Sequence, residues 1–254
     1  RRRSINNKKM KKLIIYILLF AVSFSYSQKK ELRNANKFFV SGEYASAIDL
    51  LDSSRETFDS SDNKIKSQAM LLYGKIHTAM QDFDLAMQAF DMSRNLGISV
   101  QLLDPEINKL ETAIITSAVG DNETEDFASA AKKLKMVYDL KKDVNQEYLY
   151  YAASSAVNSQ DYSLALQYYE ELRDIRYEGI ETKFYITEVS SENEIEINSE
   201  TEFKLLQKSK DYSNPREEET ESKFPEIVKN IALIYKELGQ NDKALAAIEA
   251  ARSS

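Results

Sequence analysis

Five segments of this chain share one local pattern, so any fold it adopts must house that pattern five times. They run from Gly42 to Ile48, Gln81 to Met87, Glu125 to Ala131, Gln160 to Leu166 and Gly239 to Leu245. In each, a polar turn gives way to an aromatic residue (Tyr44, Phe83, Phe127, Tyr162), replaced by Asn241 in the last. An alanine follows three residues later, at Ala47, Ala86, Ala130, Ala165 and Ala244. A large apolar residue comes four after that, at Leu51, Phe90, Leu134, Tyr169 and Ile248.

Offsets of three and four place residues on one face of a helix. The polar turn then reverses the chain between two antiparallel helices. The alanine marks where they cross closely, and its i+4 neighbour fills the space beside the crossing. Twelve residues before four of the alanines stand Ala35, Gly74, Ala153 and Ala232, small residues that meet the crossing from the first helix. Nine before come Phe38, His77, Ala156 and Tyr235, three of them bulky enough to wedge the pair. With 6 glycines and 3 prolines in 254 residues, long helices are favoured over a strand-and-turn fold.

These features resemble the tetratricopeptide repeat family, with its small residue and tyrosine in the first helix and alanine and phenylalanine in the second. The form is that of an exported, Bacteroidetes-like bacterial member. The resemblance implies an all-α, tetratricopeptide-type α-solenoid of antiparallel helix pairs over 28–178, with a last repeat over 224–254 that continues beyond the chain. Departures are real: there is no tryptophan, and the alanines are 39, 44, 35 and 79 residues apart, against a family unit of about 34. In the third unit Gly120 to Glu125 interrupts the join between the helices, while Asp104-Pro105 reads as a helix start. The long gap holds an insertion over 179–223. Phe184 to Val189 and Glu194 to Ile197 predict a short β-hairpin or an extended loop, followed by a short helix near Glu200–Lys208. Asn214-Pro215 then turns into an exposed acidic run, Glu217 to Glu221.

The start of the chain reads as a targeting segment. Lys11-Lys12 precede twelve mostly apolar residues, Leu13 to Phe24, and then Ser25-Tyr26-Ser27, the tripartite form of a secretory signal peptide over 1–27. Twelve residues fall short of the roughly 18–20 that cross a bilayer. Arg1 to Lys9 read as upstream sequence, because Met10 stands where a start would give an ordinary signal peptide. The predicted location is the periplasm or outer surface of a Gram-negative-type bacterium. Removing 1–27 takes away seven basic residues and no acid, leaving 27 basic against 41 acidic, a net charge of −14. Such a surface repels phosphate backbones and disfavours nucleic acid as a partner. Cysteine is absent, which excludes disulfides and a lipid-anchored N-terminal cysteine.

Little in the chain points to chemistry. His77, the one histidine, falls at a packing position of its repeat, so a nucleophilic triad or a nitrogen–sulfur metal site is not expected. The acidic stretch Asp121–Asp126 lacks the glycine and spacing of a calcium loop. No catalytic residue, cofactor or metal is therefore assigned. Tyrosines crowd the fourth unit: Tyr148, Tyr150, Tyr151, Tyr162, Tyr168 and Tyr169. By the family's register, Tyr150 and Ser154 fall on the first-helix face that lines a concave groove, as do Leu71 and Lys75 in the second unit and Lys229 and Leu233 in the fifth. Packing against the insertion is an equal alternative for the tyrosines. The resemblance thus implies an exported scaffold that binds a protein or peptide partner and catalyses nothing. The alternative is the extracytoplasmic sensor part of a longer signalling protein. Carbohydrate capture is disfavoured, since tryptophan for stacking on sugars is absent. The last helix has too few charges for a solvated outer face, so something C-terminal is expected to pack on Leu245 and Ile248.

Overall fold

The computed structural model describes residues 28–253, with side chains as far as Glu249. The segment read as a signal peptide, 1–27, lies outside the described residues. The chain divides into two compact units, with the division after Ser117. No helix among the described residues is long and apolar enough to cross a membrane.

The first unit holds α1 (28–40), α2 (Tyr44–Ser53), α3 (Arg55–Asp59), α4 (Asn63–Met80), α5 (Phe83–Asn95) and most of α6 (Val100–Glu123). Its core gathers Ala35, Ala47, Leu51, Phe58, Ile65, Ala69, Leu72 and Ile76. The second holds α7 (Phe127–Leu140), α8 (Gln146–Asn158), α9 (Tyr162–Asp174), α11 (Phe224–Glu237) and α12 (Asn241–Ser253). Between α9 and α11 it carries β1 (Thr182–Glu188), β2 (Glu194–Ile197), α10 (Glu200–Leu206) and β3 (Tyr212–Glu219). Elements close in sequence pack in order, α2 on α4, α7 on α8, α8 on α9 and α9 on α11, so the fold is a succession of helix pairs with one small αβ insertion.

The five sequence segments begin on five copies of one turn. Their first residues, Gly42, Gln81, Glu125, Gln160 and Gly239, all have positive φ, between 60° and 80°. The next residue's amide reaches back five positions: Glu43 to the Phe38 carbonyl at 2.9 Å, Asp82 to His77 at 2.9 Å, Asp126 to Asp121 at 2.8 Å, Asp161 to Ala156 at 3.0 Å and Gln240 to Tyr235 at 2.8 Å. This left-handed ending satisfies the last carbonyls of the first helix and turns the chain into the second. Where the next residue is aspartate it can also cap that helix: Asp126 Oδ1 accepts from the Ser129 amide and Asp161 Oδ1 from the Leu164 amide. A side chain in the left-handed region carries a cost that glycine avoids. Gln160→Gly is therefore expected to raise the unfolding free energy by up to about 1 kcal/mol, and Gly42→Ala to lower it by a similar amount. Thermal melts of the two variants against the parent check both signs.

The small residues lie at the crossings. Ala35, Ala47, Ala86, Ala153 and Ala165 have no exposed surface, and Gly74 is buried. The third pair has the same device, since Ala118, twelve before Ala130, is also fully buried. Its first helix differs from expectation at both ends. α6 starts at Val100, and Pro105 lies inside it. The burial of Leu103 and Ile107, four apart, draws the start back, at the cost of the one backbone bond that the proline nitrogen in the second turn cannot make. At the other end α6 continues through Gly120 to Glu123, with Asp121 ion-paired to Lys133 at 2.6 Å.

The insertion is a sheet of order β2-β1-β3, antiparallel throughout. Its apolar face, Phe184, Ile186, Ile195 and Ile197, packs with Phe203 of α10, in the alternation a half-buried sheet requires. The turn expected at Asn214-Pro215 is instead part of β3, and the exposed acidic run continues that strand: Glu217 to Glu219 pair with Phe184, Lys183 and Thr182. An edge strand tolerates such charge, because its side chains stay in water while its backbone pairs on one side. Arg216 lies 4.2 Å over the Tyr185 ring and bridges Glu194 at 3.0 Å and Glu218. Asn214 (φ 51°) and Pro215 sit opposite a register shift in β1, where the extra residue of a bulge is accommodated.

Candidate functional site

In the first unit, two helical faces meet in a groove. On α1, Lys29, Leu32, Arg33 and Asn36 follow the i, i+3, i+4, i+7 spacing of one stripe, as do Gln68, Leu71, Leu72 and Lys75 on α4. These eight residues line a cleft of about 370 Å³. Leu71 and Lys75, picked from sequence, are thus brought together. Lys75 is the one cation there with a described partner, Glu106 at 3.6 Å, and it lies 5.3 Å over the Phe39 ring. Among the described residues no acid pairs with Lys29 or Arg33, and no hydrogen bond holds the amides of Asn36 or Gln68. The cleft offers an apolar floor, two open cations and two amides that can both donate and accept.

Tyr150 and Ser154 lie elsewhere, in the packing between the fourth pair and α11. The Tyr150 ring stands 6.0, 6.4 and 6.3 Å from those of Tyr151, Tyr169 and Tyr177. Its hydroxyl donates to Glu226 Oε1 at 3.0 Å, and the Lys223 ammonium lies 5.2 Å over the ring. The Ser154 hydroxyl donates to the Tyr150 carbonyl and is 3.4 Å from the Tyr169 hydroxyl, which accepts from Asn230 Nδ2 at 3.1 Å. α11 turns Glu226 and Asn230 toward these rings. Its other stripe, with Lys229 and Leu233, lines a larger groove beside α12 of about 1260 Å³. Leu71 and Lys75 thus share the cleft of the first unit, while in the second Tyr150 and Ser154 sit among the rings and Lys229 and Leu233 line the groove beside α12. Lys29, Arg33, Asn36 and Gln68 were missed, although their helical spacing from Leu32 and Leu71 would have marked them.

Burial pushes the hydroxyls of Tyr150, Tyr168, Tyr169 and Tyr177 above the usual tyrosine range, and at Tyr150 the bond to Glu226 adds to this. Burial, then the bond to Glu171, pushes Tyr138 up to about 12. Each hydroxyl holds its proton more tightly folded than unfolded. The stability they contribute is present below the ordinary value of about 10 and is lost as pH rises through the raised values. The second unit is expected to lose stability as pH rises from about 10 towards about 12, with tyrosinate absorbance rising together with the loss of helix. Smooth titration near pH 10 with helices intact would contradict this.

The remaining candidates for chemistry have structural partners. His77 stacks on Tyr73 at 6.2 Å and stands 3.5 Å from Asp82. Among the described residues no group of three or more acids and histidines could hold a metal ion.

No protein-family model and no curated protein matches the sequence. Solved structures similar to this chain include BtubC (BKLC) from P. vanneervenii, at 13% identity over 86% of this chain and 76% of that one, TM-score 0.35. A Podosopora anserina kinesin light chain with nearly identical TPR-like repeats matches at 11% identity over 89% and 92%, TM-score 0.34. Pseudomonas aeruginosa PilF matches at 9% over 91% and 78%, TM-score 0.31. At such values the likenesses carry no argument. What the structure itself shows is helix pairs joined by five like turns, with small residues at their crossings.

Proposed function

We propose that this chain is an exported, non-enzymatic scaffold that captures a protein or peptide segment in the α1–α4 groove. One observation carries the reading: open cations and open amides flank Leu71 and Leu72 on helices already fixed by their own core. Unpaired amides satisfy the donors and acceptors of a peptide backbone, and a preformed groove lowers the ordering cost of binding. Helix pairs added in sequence supply such surfaces without a catalytic centre. The net acidic charge, −7 over the whole chain, argues against nucleic acid. The segment from Lys11 to Ser27 supports export, and N-terminal sequencing of periplasmic protein is expected to begin at or near Gln28.

The binding test is a pull-down from the native periplasm with the chain as bait, compared with an Arg33→Glu, Leu71→Asp double variant. Captured partner is expected to fall about tenfold, as loss of one interface anchor commonly does, with an unchanged melting temperature. Equal capture by a folded double variant would remove the site from this groove.

A further inference from the structure

The groove beside α12 has a chemistry of its own. α11 and α12 are antiparallel neighbours, and the trough between them is floored by Val228 and Ala232. Its lips are Leu233, Leu245 and Ile248, exposed at 49%, 62% and 39%. Three large aliphatic side chains around one trough form a contiguous apolar patch of the kind that marks a docking site. At about 1260 Å³ the trough exceeds the roughly 300–1,000 Å³ of small-molecule pockets. Two parallel helical walls suit a third helix laid into them, its side chains set between theirs.

The rim fixes the sign of that helix. Arg176, Lys229 and Lys236 line the groove, and among the described residues none of them has an ion-pair partner. Of the two acids on the rim, Asp174 is taken by Arg173 at 2.8 Å, which leaves Glu178. Three open cations on one apolar trough contrast with a chain whose net charge is −7. We infer that this groove takes an amphipathic helix of a partner protein, with aliphatic residues on one stripe and glutamates or aspartates along the stripe's edges. Its aliphatic side chains pack on Leu233, Leu245 and Ile248, and its carboxylates meet Arg176, Lys229 and Lys236. The inference shares with the scaffold reading only the premise that this chain binds protein, and it uses a different surface.

The test uses the full chain and a fluorescein-labelled peptide of about 18 residues, helical, with leucines at i, i+3, i+4 and i+7 spacing and glutamates beside them. Anisotropy titration is expected to give saturable binding. Because each exposed ion pair contributes modestly and reversal adds repulsion, Lys229→Glu with Lys236→Glu is expected to weaken it about tenfold or more. Leu233→Asp is expected to do the same, while the lysine-for-glutamate peptide binds poorly. Equal binding of both peptides, or of the acidic peptide to parent and charge-reversed chain, would overturn the proposal. So would a concentration-dependent dimer abolished by Leu245→Asp, since a second copy would then be the occupant. If periplasmic capture depends on Arg33 and Leu71 while the acidic peptide fails here, the scaffold reading stands and this one falls.

Discussion

Gly74→Ala is expected to destabilise the first unit by about 1–3 kcal/mol, the usual cost of overpacking a core. A Cβ at that position would come within 3.0 Å of three ring carbons of Phe90. The ring cannot swing aside into solvent, because Phe90 is only 1% exposed, so the helices must part or the side chain must leave its rotamer. Gly120 is the control. It also lies in a helix, α6, but nothing stands within 4 Å of the added atom. Gly120→Ala should therefore stabilise by about 0.5–1 kcal/mol, because a helical alanine has less conformational freedom to lose than glycine. Denaturant melts of both variants decide the matter, and opposite signs are the result expected. Phe90→Leu in the Gly74→Ala background should recover part of the loss, since the two side chains compete for one space. Two variants of the same sign would mean that α4 and α5 do not cross at Gly74 and Phe90.

The crossing at Gly74 was legible in the sequence, as were the turns, because two requirements leave marks on residue type. A close crossing admits only small side chains, which gives Ala35, Gly74 and Ala153 in register with their alanines. A left-handed turn residue favours glycine or a polar side chain, which gives Gly42 and Gly239 outright and Gln81, Glu125 and Gln160 by position. Where structure depends on something other than side-chain size, the signal was lost. Pro105 reads as a helix start, yet burial of Leu103 carries α6 back to Val100. The site was legible only in part for a related reason. Helical register identifies which face a residue is on, as for Leu71 and Lys75, but not what covers that face. Tyr150 has the register of a groove residue, and what decides its surroundings is Glu226, seventy-six residues away. Arg176 was hidden because it belongs to no helix, standing in a turn with φ 54°.

Phe203→Ala is expected to have the largest effect of any single change in the insertion, about 3–5 kcal/mol, the range for deleting a buried phenylalanine. The fully developed core of this module consists of Ile186, Ile197 and Phe203, and Phe203 is 1% exposed. A core that small has no reserve against losing its largest member. Hence β1, β2 and β3 should open together rather than adjust. The helices should not follow. The module joins them through a narrow stem, where the Glu181 amide and carbonyl bond to Thr220, each at 2.9 Å, and the Lys223 ammonium meets Glu181 at 3.0 Å. Tyr177, just before the stem, belongs instead to the core of the second unit with Tyr169, Leu172, Ile227 and Ile231. Hydrogen exchange of the Phe203→Ala chain is therefore expected to show lost protection across 182–219 with protection kept in α8, α9 and α11. Pairing with its neighbours explains why β3 escaped the sequence reading. Its strand is held by pairing to β1 and by Arg216 between Glu194 and Glu218, so its own side chains needed neither apolar alternation nor low charge. If protection in α8, α9 and α11 collapses with that of the sheet, the insertion is part of the repeat core rather than a module attached to it.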